Sequence, residues 1–251
     1  MQNSFLIIVP VYNAVEYIGK CLDSIFSQNY KEFRVVVIDD CSDDGTIEVV
    51  KKYPVDIYIN KQHMGTGLVG MIEAIRIFGK EEDIIVEVDG DDWLAGDFVL
   101  SYLNDVYQDD VWLTYGQYSP LSGKYKNYCC DLLDIKVKNE IGEWVDRPQH
   151  SYNYRESGIW VTSHLRTFKK WLWDKIDDND FRDENGEYLK FACDAAAMYP
   201  MIEMAGIHIK FIDKVLYIYN DLNPKNIFRI DAVNSIKYSD YLIKKPVYRE
   251  L

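Results

Sequence analysis

The apolar positions of the first hundred residues fall into short continuous runs that alternate with runs of helical period. Phe5-Leu6-Ile7-Ile8-Val9 is unbroken apolar chain ended by Pro10, the pattern of a strand covered on both faces. Ala14, Ile18, Cys21, Leu22 and Ile25 then recur at helical spacing and predict an amphipathic helix from Ala14 to Ser27. Phe33 to Ile38 reads as a second buried strand. The turn Ser42-Asp43-Asp44-Gly45-Thr46 carries good capping residues for a short helix over Ile47 to Lys52. Val55 to Ile59 alternates as a third strand. Gly65-Thr66-Gly67 opens a helix with Leu68, Met71, Ile72, Ile75 and Phe78 on one face, and Ile84 to Val88 is a fourth strand that ends on Asp89. Strands separated by such helices pair in parallel through right-handed crossovers. Ligands of these sheets sit beyond the carboxyl ends of the strands.

After residue 100 the pattern loosens. Val111 to Tyr115 predicts a strand, Thr167 to Ile176 and Asp194 to Ala205 predict helices, and Ile207 to Ile212 and Val215 to Tyr219 predict closing strands. The stretch from about Ser119 to Ser157 is polar and aromatic, with Tyr125, Tyr128, Trp144, Tyr152 and Tyr154, and reads as an elaborated loop region. The expected organisation is one α/β domain over residues 1–240. The remainder, 241–251 with Lys244-Lys245-Pro246, reads as a tail or a cut linker, which leaves open a longer multidomain protein.

The 251 residues are 48% apolar and carry a formal net charge of −13. Such an acidic chain disfavours a nucleic-acid surface, which needs clustered Lys and Arg. It does not disfavour a small phosphate ligand, because a divalent cation held by carboxylates reverses the local field. The five cysteines are odd in number and form no CxxC pair, so neither a disulfide scaffold nor a zinc site is expected, and a reducing, cytoplasmic setting fits. No apolar run approaches the roughly 20 residues of a membrane helix, and the opening residues do not read as a signal peptide.

Acids gather where a parallel sheet would bind its ligand. Asp39-Asp40 follow the second strand, and Asp89-Gly90-Asp91-Asp92-Trp93 follow the fourth. Like charges this close are costly without a counter-charge. A hard divalent cation that also holds diphosphate oxygens supplies one, and Gly90 permits close backbone approach. From the charge pattern alone the same residues read equally as an acidic turn ahead of a helix near Asp97. Asp39 and Asp40 likewise suit either a base or ribose contact or a plain turn, and Ser42 to Thr46 reads as a turn outright. No GxGxxG follows any strand, which disfavours a dinucleotide-binding oxidoreductase. Pro10-Val11-Tyr12-Asn13 lacks the Gly-rich, cationic character of a nucleotidyltransferase loop. A non-catalytic nucleotide- or carbohydrate-binding module remains as an alternative.

Val9-Pro10-Val11-Tyr12-Asn13, Ile38-Asp39-Asp40-Cys41-Ser42-Asp43-Asp44-Gly45-Thr46 and Val88-Asp89-Gly90-Asp91-Asp92 resemble, in order and spacing, the motifs of glycosyltransferase family 2. The likeness covers Phe5 to Leu100 well and the rest more loosely. It implies a GT-A fold: a Rossmann-like, mostly parallel sheet flanked by helices, with a nucleotide-binding half over about 1–100 and an irregular acceptor-side half over about 101–240. It also implies metal-dependent, inverting transfer of a sugar from a nucleotide-diphosphate donor, UDP above all, to a hydroxyl of a glycan or other acceptor.

By position, Pro10, Val11 and Tyr12 would line the base pocket, and Asp40 with Asp39 would bond the base. Asp89 would contact the ribose side. Asp91, with Asp89, would bind Mn2+ or Mg2+, and Asp92 would support that shell or position sugar hydroxyls. Many members carry Arg or Asn near the diphosphate, whereas Met64 to Met71 holds no Arg here. The Gly67 region and its helix start offer backbone N–H groups instead, and His63 is a candidate for base or phosphate. Asp194 falls where the family places its general base, though it also reads as an N-cap; Glu184 and Glu187 are rivals. Trp160, His164 and Arg166 are expected near acceptor or diphosphate. Asn220, Asp221 or Asn223 stands where a His ligand is common. Trp93, Trp112, Trp144 and Trp160 suit sugar stacking, and ordinary packing explains any one of them equally.

Overall fold

The computed structural model describes residues 2–124, 129–132, 136–138, 144–146, 154–157, 160–225 and 232–251. The first apolar run forms strand β1 (Phe5–Val11), which pairs in parallel with β2 (Phe33–Asp39) on one side and β4 (Ile84–Glu87) on the other. Strand β2 in turn pairs in parallel with β3 (Asp56–Ile59). Helices α1 (Ile18–Phe26), α2 (Thr46–Val50) and α3 (Gly67–Phe78) lie between these strands in sequence. Side chains alternate across a strand, and that alternation makes two cores from one continuous run. Phe5, Ile7 and Val9 pack with Ile18, Leu22 and Ile25 of α1, while Leu6 and Ile8 pack with Leu68, Met71 and Ile75 of α3. Helix α1 begins at Ile18, four residues later than the period suggested. Ala14 to Tyr17 form a turn in which the Tyr17 and Ile18 N–H groups both donate to the Ala14 carbonyl.

The second half adds β5 (Trp93–Leu94), α4 (Val99–Val106) and β6 (Leu113–Pro120), then a separate hairpin of β7 (Lys136–Lys138) and β8 (Trp144–Asp146). After α5 (Tyr154–Ser157) come β9 (Thr167–Lys169), α6 (Lys170–Trp173), α7 (Cys193–Ala205), β10 (Ile209–Tyr219) and α8 (Ala232–Ile243). The eight-stranded sheet runs β3-β2-β1-β4-β9-β6-β10-β5. It is parallel through its first four strands and mixed beyond, because β9 is antiparallel to both β4 and β6 and β5 is antiparallel to β10.

Two expectations need correction. Thr167 to Ile176 is not one helix: its first three residues form the central strand β9, where Thr167 Oγ1 bonds Tyr107 Oη (2.8 Å) and Thr114 Oγ1 (2.6 Å) and Phe168 is buried. A short strand feeding directly into a helical turn cannot be separated from it by periodicity. The two closing strands are one, β10, whose pairing with β6 shifts register around Val215. Residues 241–251, read above as a tail or linker, include groups that contact the rest of the chain. Tyr248 donates its backbone N–H to Glu203 (3.0 Å) and its hydroxyl to Asp180 (2.6 Å). Glu203 also pairs with the buried Arg155 (2.8 Å). Among the described residues no helix is long and apolar enough to cross a membrane.

Candidate active site

The carboxyl ends of β1, β2 and β4 and the amino ends of α3 and α7 surround a cavity of about 710 Å³. That volume lies within the range of roughly 300–1,000 Å³ common for small-molecule sites. Pro10, Val11 and Tyr12 reach its wall from the end of β1 and Asp40 from the end of β2. Gly67 contributes from the start of α3, and Asp89, Gly90 and Asp91 from the loop after β4. His164, Arg166 and Asp194 close the remaining side. Residues expected from three separate motifs therefore share one cavity. A Cβ on Gly90 would stand 2.9 Å from Val11 Cγ2 and 3.0 Å from the Pro10 carbonyl oxygen, so only glycine lets the acidic loop cross β1 this closely.

Three expected residues stand off the cavity wall. Asp39 is buried and accepts from the Ser42 N–H (3.1 Å), which makes it the organiser of the 39–42 turn. Trp160 packs edge-on against Tyr199. Asp92 is 1% exposed and accepts from Tyr217 Oη (2.8 Å) and the Asn220 N–H (2.6 Å). Tyr217 Oη also accepts from the Asp89 N–H (3.1 Å), so this tyrosine ties the acidic loop to β10. Among the late-region candidates, Asn223 Nδ2 donates to Asp91 Oδ2 (2.6 Å), while Asp221 turns away to accept from Ser122. Glu184, Glu187, Trp93 and Trp112 do not line the cavity. Tyr125, Tyr128, Tyr152 and the Trp144 side chain lie outside the described residues.

Asp40 is on the wall but its oxygens are engaged. Oδ1 accepts from Asn60 Nδ2 (2.6 Å) and the Met64 N–H (2.8 Å); Oδ2 accepts from the Gly65 N–H (2.9 Å) and lies 2.9 Å from His63 Nδ1. A carboxylate has about four acceptor sites, so Asp40 acts first as the anchor of the 60–65 loop. That loop presents His63, whose ring stacks on Tyr12 (centroids 4.2 Å apart, 27° between planes).

Electrostatics centre on one buried cation. Arg166 Nε donates to Glu87 Oε2 (2.9 Å), and its Nη1 lies 3.5 Å from Asp194 Oδ2. Burial disfavours the guanidinium charge, but Glu87 and Asp194 outweigh it and hold Arg166 charged. Burial, with Glu87 adding and Arg166 opposing, pushes Asp89 up to about 7. Burial, then Asp89 and Asp91, push Asp92 up to about 9, and burial also raises Asp91. His164 is pushed well below its ordinary value by burial and then by Arg166, so it is neutral. A cluster of buried carboxylates this reluctant to ionise lacks positive charge. Asp89, Asp92 and His164 each bring a donor atom within 4.8 Å of the others. Two carboxylate oxygens and a neutral imidazole form a donor set that suits Mn2+; Asp91, the expected ligand, is on the same cavity wall but outside this trio. Sequence reasoning missed Glu87, although a lone acid inside the apolar run Ile84–Val88 was the available signal.

Comparison with known proteins follows the same lines. The family model for Glycosyl transferase family 2 matches residues 6–179. The chain belongs to glycosyl transferase family 2. Named relatives agree with this enzyme class. Glycosyltransferase GlyA of Streptococcus pneumoniae is 33% identical over 120 residues, 44% of this chain and 16% of that protein. Poly(ribitol-phosphate) beta-N-acetylglucosaminyltransferase TarS of Staphylococcus aureus is 34% identical over 94 residues, 36% of this chain and again 16% of the relative. The chain thus spans about one-sixth of the length of these two relatives. The fold recurs in the S. aureus TarS 1–349 complex with UDP (TM-score 0.60, 21% identity, 94% of this chain and 65% of that one). It recurs also in the mannosyltransferase PcManGT of Pyrobaculum calidifontis in complex with GDP-Man and Mn2+ (TM-score 0.62, 18% identity, 99% and 66%).

Proposed function

We propose that this family 2 domain is a metal-dependent inverting transferase that moves a sugar from a UDP-linked donor to a hydroxyl of a glycan or other acceptor. The observation that carries the reading is the meeting of Asp89, Asp91 and Asp194 around one cavity with the buried Arg166. The Tyr12–His63 stack offers an aromatic face beside Pro10 and Val11 for the base, and Asp40 holds that wall in place. The start of α3 at Gly67 turns N–H groups towards the diphosphate, in the place of the absent Arg. Asp91 and Asp89 would hold Mn2+ or Mg2+, which would supply positive charge to the departing diphosphate. Asp194, in the first turn of α7, takes the proton of the acceptor hydroxyl as that oxygen bonds to the sugar C1. Arg166, braced by Glu87, lies 3.5 Å from the Asp194 carboxylate and holds it in place. The choice of UDP is supported by the TarS complexes described with UDP and UDP-GlcNAc.

Thermal-shift screening against nucleotides and nucleotide-sugars, with and without Mn2+, tests this directly, because a ligand that binds only the folded state raises its melting temperature. Stabilisation by a UDP-sugar that needs Mn2+ and leads to turnover supports the proposal. UDP binding indifferent to Mn2+ and without turnover favours a binding module instead.

A further inference from the structure

His164 lies outside every motif that carries the family resemblance, yet it stands at the acidic loop. It enters just before β9, the antiparallel strand at the centre of the sheet. Its ring stacks on Tyr217 (centroids 4.6 Å apart, 6° between planes) and on Tyr219 (5.7 Å, 18°). Tyr217 is the residue that grips both Asp92 and the Asp89 N–H. The stack therefore fixes the imidazole against the same framework that fixes the two acids.

The Nδ1 atom of His164 is buried and has no hydrogen-bond partner among the described residues. A buried polar atom without a partner costs about 1–3 kcal/mol, so such an atom beside carboxylates points to something it binds. A second orphan lies close by. Asn220, whose backbone N–H donates to Asp92, is 2% exposed and both ends of its side-chain amide lack partners among the described residues.

We propose that His164 is an imidazole ligand of the divalent cation held by Asp89, so that this site carries one nitrogen donor among its oxygens. The inference rests on the metal-dependent reading above. Its chemical consequence is selectivity. Oxygen-only sites suit Mg2+ and Mn2+ alike, whereas an imidazole shifts preference towards transition metals. The site then favours Mn2+ over Mg2+ because of a side chain from the approach to β9.

The test is pulsed electron paramagnetic resonance on the intact chain loaded with Mn2+ and UDP, using protein labelled with 15N-histidine. The expected result is a nitrogen hyperfine coupling to Mn2+ that changes from 14N to 15N on labelling. The coupling disappears in His164→Gln and persists in His63→Gln, which removes the other cavity histidine. Calorimetry on His164→Gln is expected to show Mn2+ affinity reduced at least about tenfold with Mg2+ affinity little changed. Bound Mn2+ with no nitrogen coupling in the wild-type chain overturns the role of His164 while leaving the metal reading intact, whether or not the variant folds. A coupling that survives His164→Gln overturns it as well. Absence of Mn2+ binding at all, with or without UDP, overturns the metal reading and this inference together.

Discussion

Replacing Arg166 by Met keeps most of the side-chain volume and removes the buried charge that faces Glu87 and Asp194. The Arg166 side chain is 5% exposed and that of Glu87 13%, so their contact at 2.9 Å is scarcely screened by water. Breaking such a pair from one side costs about 3–5 kcal/mol, because the remaining charge stays buried. Asp194, at 3.5 Å, has a side chain 37% exposed, and its share is discounted to roughly 0–1 kcal/mol. For a chain of 251 residues, a loss of about 3–5 kcal/mol lowers the melting temperature by roughly 6–20 °C. Urea denaturation followed by circular dichroism reads the loss. Adding Glu87→Gln to Arg166→Met removes the stranded charge and is expected to recover about 1–3 kcal/mol through the coupling between the two sites. A single-variant loss below about 1 kcal/mol, or a double variant no more stable than the single, would refute the view that this ion pair is the electrostatic keystone of the cavity.

Three further outcomes follow from the same geometry. Asp40→Asn places an N–H where the Met64 or Gly65 N–H now donates, and it is expected to cost about 1.5–3 kcal/mol; a loss under about 0.5 kcal/mol in urea denaturation contradicts the anchoring role. Asp89 and Asp92 have folded-state values raised to about 7 and about 9. Their contribution to stability is therefore complete below the ordinary carboxylate range and is lost as pH rises through those values. The melting temperature in EDTA should fall between pH 5 and 9, and the increment given by Mn2+ should grow over the same window because ligands bind metal deprotonated; a flat Mn2+ increment counts against the assignment. Gly70→Ala would put a Cβ 2.2 Å from Ile38 Cγ2, and the expected penalty is about 1–3 kcal/mol from overpacking, read by the same denaturation.

The nucleotide-side architecture was legible because its signals are local. Strand β1 declared itself by five consecutive apolar residues, and Asp89 by following a buried strand at a carboxyl edge. What was illegible depends on pairing over long distances. Strand β9 is three residues long and runs straight into α6 with no intervening turn residue, so its central place between β4 and β6 emerges only from the register. Asp92 and Asp91 look alike in sequence. Tyr217, 125 residues further on, buries one against its hydroxyl and leaves the other on the cavity wall. Asp40 was readable as a site residue from its position, but not the four contacts that engage its oxygens, which come from Asn60, His63, Met64 and Gly65 in a loop beyond β3.

The central claim is that Asp194 is the base that acts on an acceptor beside a metal-bound nucleotide-sugar. Its most direct test is the sugar-transfer rate of Asp194→Asn, measured beside calorimetry of UDP-sugar binding in Mn2+. The account predicts donor affinity unchanged and transfer slowed by about 10²- to 10⁴-fold. Transfer at the wild-type rate, with donor still bound, would contradict it.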